Sequence, residues 1–224
     1  MYPFISTTRF RLLSGLLGLL LIVFGVLPVY ASTFTSTNPP VFIEDGPAAE
    51  VAGVPTISTL TVSGVDAIID INVSLNITHT FMGDLVITLT SPEGTNVTLL
   101  NRPNDGSGGC AGNDMSNTLD DETSAASRSI QSNCTAPAAY VSGESYLPSN
   151  ALSTFDGESG NGIWTLTVTD YYVGDTGMLN GWSLDITAAS APATVLSQAS
   201  ESTVPKSEPG TQMSLLTSFI IHNW

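Results

Sequence analysis

Thr78-His79-Thr80-Phe81-Met82-Gly83-Asp84-Leu85-Val86-Ile87-Thr88-Leu89-Thr90-Ser91-Pro92-Glu93-Gly94-Thr95 alternates apolar and polar side chains, reaches a Ser-Pro-x-Gly turn, and resumes as Asn96-Val97-Thr98-Leu99-Leu100. Period-two alternation on both sides of a Pro/Gly turn reads as a β-hairpin. Immediately upstream, Ile69, Ile71, Val73, Leu75 and Ile77 point one way and Asp70, Asn72, Ser74, Asn76 and Thr78 the other. Trp164, Leu166 and Val168 form a second inward row, and Trp182, Leu184 and Ile186 a third. Half-apolar strands need an opposing sheet to cover them. With residues 56–62 and minor strands near Val41 and Leu152, the count reaches about eight, which predicts an all-β jelly-roll β-sandwich. No window outside the N-terminal leader carries a helical apolar stripe.

Two further stretches join the hairpin in a recognisable order. One is Thr118-Leu119-Asp120-Asp121-Glu122; the other comprises Leu152-Ser153-Thr154-Phe155-Asp156-Gly157, Gly162-Ile163-Trp164-Thr165-Leu166-Thr167-Val168-Thr169-Asp170 and Gly174-Asp175-Thr176-Gly177-Met178-Leu179-Asn180-Gly181-Trp182-Ser183-Leu184-Asp185-Ile186. Together they resemble the P domain, or Homo B domain, that follows the catalytic domain of proprotein convertases and many secreted bacterial subtilisin-like proteases. Leu119 departs from the aromatic usual at its position. The resemblance implies a galactose-binding-like sandwich over residues 41–188 that packs against a subtilisin-like catalytic domain, stabilises it and tunes its calcium and pH dependence. It implies an accessory domain, not a protease.

Composition bounds the partners. The formal net charge is −15, with 20 acidic against 5 basic residues, and Arg9 and Arg11 fall in the leader. Only Arg102, Arg128 and Lys206 remain basic beyond it. Nucleic acid and anionic lipid are excluded as partners, because both are held by Lys and Arg on phosphates. Divalent cations or basic proteins suit this surface better.

Arg9 and Arg11 precede an apolar run over residues 12–27, and Val29-Tyr30-Ala31 supplies residues that a signal peptidase reads. Residues 1–31 therefore read as a signal peptide cleaved after Ala31, giving a secreted protein. The alternative is an uncleaved anchor, the chain's single route to a membrane, although the run is short beside the roughly 20 residues of a span. Residues 32–40 read as a flexible lead-in and residues 189–224 as a low-complexity Ala/Ser/Pro tail. Cys110 and Cys134 are the two cysteines, and in an oxidising compartment they can pair, stabilising the fold by about 3 kcal/mol. Free thiols or a metal pair are the alternative.

The sequence carries no recognisable catalytic constellation. A Ser-His-Asp site needs a histidine base beside an activated serine. Beyond the leader there are His79, at a strand end, and His222, near the C-terminus, with no Gly-x-Ser-x-Gly elbow and no His-Glu-x-x-His pair. His79 matches a recurring non-catalytic histidine of the resembled family, so no catalytic residue is assigned. Asp84, Asp120 and Asp121 are candidate calcium ligands, with Asp170 and Asp175 near them in chemistry, since Ca²⁺ takes oxygens from loop aspartates; the alternative for each is a solvated turn residue. Asn72, Asn76, Asn96 and Asn133 each open an Asn-x-Ser/Thr sequon, which matters only in a glycosylating host. The functional expectation is a secreted non-catalytic accessory domain for a subtilisin-like protease. Its alternative is a free-standing carbohydrate- or surface-binding sandwich in which Tyr140, Tyr146, Tyr171 and Tyr172 stack on sugars.

Overall fold

The structure is a computed structural model, and it describes residues 28–37, 40–103, 109–123, 128–134 and 138–189. The strands are β1 (Val29–Thr35), β2 (Val41–Ile43), β3 (Thr56–Val62), β4 (Ala67–His79), β5 (Leu85–Thr90), β6 (Asn96–Asn101), β7 (Met115–Leu119), β8 (Ser145–Tyr146), β9 (Gly162–Asp170) and β10 (Gly177–Ala189). Six form one sheet in the order β1-β10-β4-β7-β8, with β2 also on β10, and four form the other in the order β3-β9-β5-β6. The chain changes sheet between β2 and β3, between β3 and β4, between β4 and β5, between β6 and β7, between β8 and β9 and between β9 and β10. That wrapping is the β-sandwich expected. Every strand pair is antiparallel except β7 with β8.

The alternating rows place the core. Ile71, Val73, Leu75 and Ile77 of β4 face Leu166 and Val168 of β9 and Ile87 and Leu89 of β5, all at 2 % exposure or less. Trp164 is fully buried; it packs edge-on against Phe155 with ring centroids 5.0 Å apart, and its indole N–H donates to the Gly160 carbonyl at 2.9 Å. Trp182 reaches through the core from β10 and donates its indole N–H to Ser58 Oγ on β3 at 2.9 Å, so one polar bond ties the two sheets together. A buried indole needs such a partner, because an unpaired N–H in an apolar interior costs about 1–3 kcal/mol.

Two register shifts alter the simple alternation. Ile68 pairs with Ala188 and Asp70 with Thr187, so Ile69 is an extra residue on β4 and stands 45 % exposed instead of facing inward; Ile68 takes its place in the core. A bulge inserts one residue and flips the faces beyond it, and a period-two reading cannot see that. On β10, Leu179 pairs with Ile77 and Gly181 with Asn76, which leaves Asn180 as the extra residue.

The N-terminal edge also differs from expectation. Residues 32–40 are not simply a lead-in: β1 pairs residue for residue with β10 from Val29 against Ala189 to Thr35 against Ser183. Tyr30 and Phe34 pack against the core, and the Tyr30 hydroxyl donates to the Gly64 carbonyl. The Ser/Thr composition hid a strand whose inward row is Tyr30, Ser32 and Phe34. The Ala31 position falls inside this strand. The segment after β6 is likewise more ordered than its Gly/Ser composition suggests, since it supplies β7 and β8, and Met115, Asn117 and Leu119 face inward. The leader up to residue 27, His222 and the tail beyond Ala189 lie outside the described residues.

Candidate functional site

One end of the sandwich gathers the ionisable groups. β4 ends at His79 and β9 at Asp170, and the pairing of Leu85 with Asp170 brings the start of β5 beside them. A single 3₁₀ turn, Met82–Asp84, joins β4 to β5. It is pinned from outside: Met82 N–H donates to the Gly112 carbonyl at 3.0 Å and Gly83 N–H to the Cys110 carbonyl at 3.0 Å. A Cβ at Gly83 would sit 2.5 Å from the Cys110 backbone nitrogen, so glycine is required for this approach. Cys110 is bonded to Cys134, with Cα atoms 5.7 Å apart, as their joint presence predicts. The disulfide thus anchors the segment that holds Asp84 in place.

His79 is 2 % exposed. Its Nε2 lies 3.1 Å from Asp170 Oδ2, and its Nδ1 lies 3.0 Å from the Phe81 carbonyl oxygen and 3.2 Å from the Phe81 nitrogen. Asp170 is fully buried, and its second oxygen accepts the Tyr172 N–H at 2.9 Å. Among the described residues no hydroxyl or thiol is bonded to the imidazole. Asp84, 5 % exposed, accepts no hydrogen bond through its carboxylate among the described residues. Burial pushes its pKa up to about 6, the charges of Asp170 and Asp175 push the same way, and His79 and Arg102 oppose. Arg102 closes this end: it forms a two-pronged ion pair with Glu50 and stands over the Tyr171 ring, 5.9 Å from its centroid.

Asp120 and Asp121 belong to a different group. They follow β7 in a turn rather than on a strand, and Asp120 Oδ1 accepts the Glu122 N–H at 2.7 Å. Asp121 Oδ2 accepts the Ser153 N–H at 2.8 Å. Burial, Asp70 and Asp120 push Glu122 up to about 6, and burial, Asp70 and Asp121 push Asp156 up. The three candidate ligands are therefore split, Asp84 with Asp170 and Asp175, and Asp120 and Asp121 with Asp70, Glu122 and Asp156. Among the described residues no three His, Cys, Asp or Glu side chains converge on one point as a metal ion needs. Sequence alone does not single out Asp70 and Asp156: the pairing of β4 with β7 brings Asp70 to the Asp120 turn, and the 3₁₀ turn Leu152–Phe155, bonded to Asp121 through the Ser153 N–H, brings Asp156.

The tyrosines are not the sugar platform that their loop placement suggested. Tyr140 and Tyr146 are 5 % and 4 % exposed and pack edge-on, centroids 5.2 Å apart. The Tyr140 hydroxyl donates to the Ile130 carbonyl and the Tyr146 hydroxyl accepts the Val141 N–H, so both rings are interior struts. Tyr171 lies under Arg102, and Tyr172 alone of the four is exposed.

The outer face of the four-stranded sheet is a second candidate surface. Thr59 of β3, Thr165 of β9 and Thr90 of β5 pair in one row, and Ile57, Thr167 and Thr88 in the next. Thr61 pairs with Ile163, and Ile57 and Ile163 are each 59 % exposed. The four strands of this sheet contain one charged residue, the buried Asp170.

Fold and surfaces define a β-sandwich module with an acidic, hydrogen-bonded end and an uncharged sheet face. The model of the proprotein convertase P-domain family matches residues 68–186, from β4 into β10, and the chain belongs to that family, whose members are accessory domains of serine endopeptidases. The chain is 33 % identical over 144 residues to leupeptin-inactivating enzyme 1 of Streptomyces exfoliatus, covering 63 % of this chain and 23 % of that protein. Two solved structures are matched, the Aeromonas sobria serine protease in complex with its chaperone (TM-score 0.40, 20 % identity) and the same protease alone (TM-score 0.39, 19 % identity). Each match covers 73 % of this chain and 28 % of that one. The chain thus spans about a quarter of the length of these relatives.

Proposed function

We propose that this P domain is a non-catalytic module of a secreted proteolytic system, which packs against a subtilisin-like serine endopeptidase and stabilises it. The observation that carries the reading is the uncharged face of the four-stranded sheet. In a chain of net charge −15, four strands whose outer rows are Thr, Ile and Val, with Asn at the two ends of β6, are what an interface core requires, because charged side chains are costly to desolvate there. Ile57, on the edge strand β3, and Ile163, near the start of the inner strand β9, stand out as exposed apolar anchors. The His79–Asp170 pair supports the non-catalytic part: a general base must be reachable by the proton it abstracts, and both nitrogens of this buried ring face protein partners. Export is supported by the disulfide and by the leader pattern.

The test has two arms. Purified chain incubated with casein and with a fluorophosphonate probe should give neither cleavage nor labelling. Mixed with a subtilisin-like catalytic domain from the same organism, it should co-elute, and Ile163→Asp should abolish co-elution. Labelling of any serine, or a complex indifferent to Ile163→Asp, would overturn the reading.

We infer further that calcium is linked to stability at the Asp120 turn. A cation near Asp70, Asp120 and Glu122 would relieve the repulsion that raises Glu122, drawing most of its six to eight oxygens from backbone carbonyls and water, since side chains alone do not converge. Millimolar CaCl₂ should then raise the melting temperature more than NaCl of equal ionic strength, and Asp120→Ala should remove the difference.

A further inference from the structure

The outer face of the six-stranded sheet differs from that of its partner sheet. A trough of about 360 Å³ runs across β10, β4 and β7, lined by Ser74, Asn76, Ser116, Thr118, Gly181 and Ser183 among others. It continues into a second hollow of about 390 Å³, which shares Asn76 and Ser116. The β10 bulge shapes it. Asn180, the inserted residue, turns its amide across the sheet and donates to Asn76 Oδ1 at 3.2 Å and to Thr78 Oγ1 at 3.4 Å. The next residue, Gly181, has no side chain where one would fill the trough: a Cβ there meets only Ser36 Oγ, at 3.9 Å. A bulge that re-aims a side chain beside an unfilled position is a feature characteristic of binding faces.

The lining decides the ligand. None of the trough's own side chains is charged and the adjoining hollow adds Asp114, so the face offers no cation to hold a phosphate or a carboxylate. Backbone groups of β10, β4 and β7 pair with one another beneath it, so an extended peptide finds no free main-chain edge to add to. What it does present is amides and hydroxyls, each able to donate and to accept, which matches a ligand whose own groups are hydroxyls. The volume lies at the lower end of small-molecule sites, about 300–1,000 Å³.

We propose that this trough binds a neutral oligosaccharide, with Asn76, Ser116 and Ser183 hydrogen-bonding its hydroxyls and Asn180 fixing the Asn76 amide. The proposal goes beyond the accessory role and uses the sheet face opposite to the one proposed for protease docking, so either can fail alone.

Full-length chain from a non-glycosylating host, titrated calorimetrically with cellohexaose, chitohexaose and mannohexaose, should bind at least one of them. Gly181→Val, which fills the trough with a residue favoured in strands, should weaken that binding by at least about tenfold without lowering the melting temperature. Asn180→Ala and Ser116→Leu should weaken it too, and Thr167→Val on the other sheet should not. Should Gly181→Val fail to fold, the latter three variants decide. No binding of any of the three sugars, binding unchanged in the trough variants, or binding instead to heparin or to an uncharged Gly/Ser/Asn peptide would overturn the proposal.

Discussion

Replacing Asp84 by Asn should stabilise the domain at neutral pH, against the usual outcome for a buried residue. Its carboxyl is held up at about 6 against an ordinary 3.8, because burial and the charges of Asp170 and Asp175 outweigh His79 and Arg102. A raised folded-state pKa favours folding fully below about pH 4, and that contribution is lost as pH rises through about 6. At pH 7.5 the ionised carboxylate is therefore a liability. Moving a carboxyl from 3.8 to about 6 corresponds to roughly 3 kcal/mol at 1.36 kcal/mol per pH unit. Asp84 stands at the end of the sandwich, where solvent screens its neighbours, so we take about 1–2 kcal/mol. For a folded region of this size that is a rise of about 3–6 °C. The assay is thermal melting of parent and Asp84→Asn at low salt from pH 4 to pH 8. The gap between them should be near zero at pH 4 and grow through pH 6. A variant less stable than the parent at pH 7.5, or a gap independent of pH, would refute the electrostatic account of this site.

Cys110→Ser should lower the melting temperature by several degrees, since closing the loop to Cys134, 24 residues on, contributes about 3 kcal/mol, and non-reducing peptide mapping should show one linked peptide. Trp164→Ala, read by urea denaturation, should cost about 3–5 kcal/mol, because it empties a fully buried site and removes the partner of the Gly160 carbonyl. Truncating the chain before Ser32 should destabilise it, as the β1–β10 pairing loses Val29, Tyr30 and Ala31 and the Tyr30 ring leaves the core; a melt unchanged by that truncation would assign those residues no structural role.

Strands with strict alternation were legible in the sequence, and so were the rows they bury, because one residue in two facing a core leaves a mark that needs no partner to be read. The β5–β6 hairpin, the Trp164 row and the Trp182 row stand where the pattern puts them. Legibility failed where geometry depends on a neighbour. Period-two alternation places Ile69 inward, because nothing in the local sequence announces that β4 carries an extra residue opposite Thr187 and Ala188 of β10. The β1 strand was hidden by a composition of Ser and Thr whose inward positions are aromatic, and the tyrosines at 140 and 146 sit in a segment that looks like open loop but folds back on β7.

The candidate site shows the same division. His79 and Asp84 were visible as polar residues at a hairpin entrance, and the disulfide followed from two cysteines and a leader. That Asp170 closes on His79 from 91 residues away, while Asp120 and Asp121 join Asp70 and Asp156 instead, is decided by strand pairing and by the docking of the 3₁₀ turn before Asp156. The bulge at Asn180 that shapes the trough is equally a property of pairing, not of local sequence.

The central claim is that this P domain serves a protease through its uncharged sheet face. The most direct measurement is the melting temperature of a subtilisin-like catalytic domain from the same organism, taken alone, with this chain, and with its Ile163→Asp variant. The account predicts a rise in the catalytic domain's melting temperature with the parent chain and none with Ile163→Asp. Equal rises with both, or no rise with either, would contradict it.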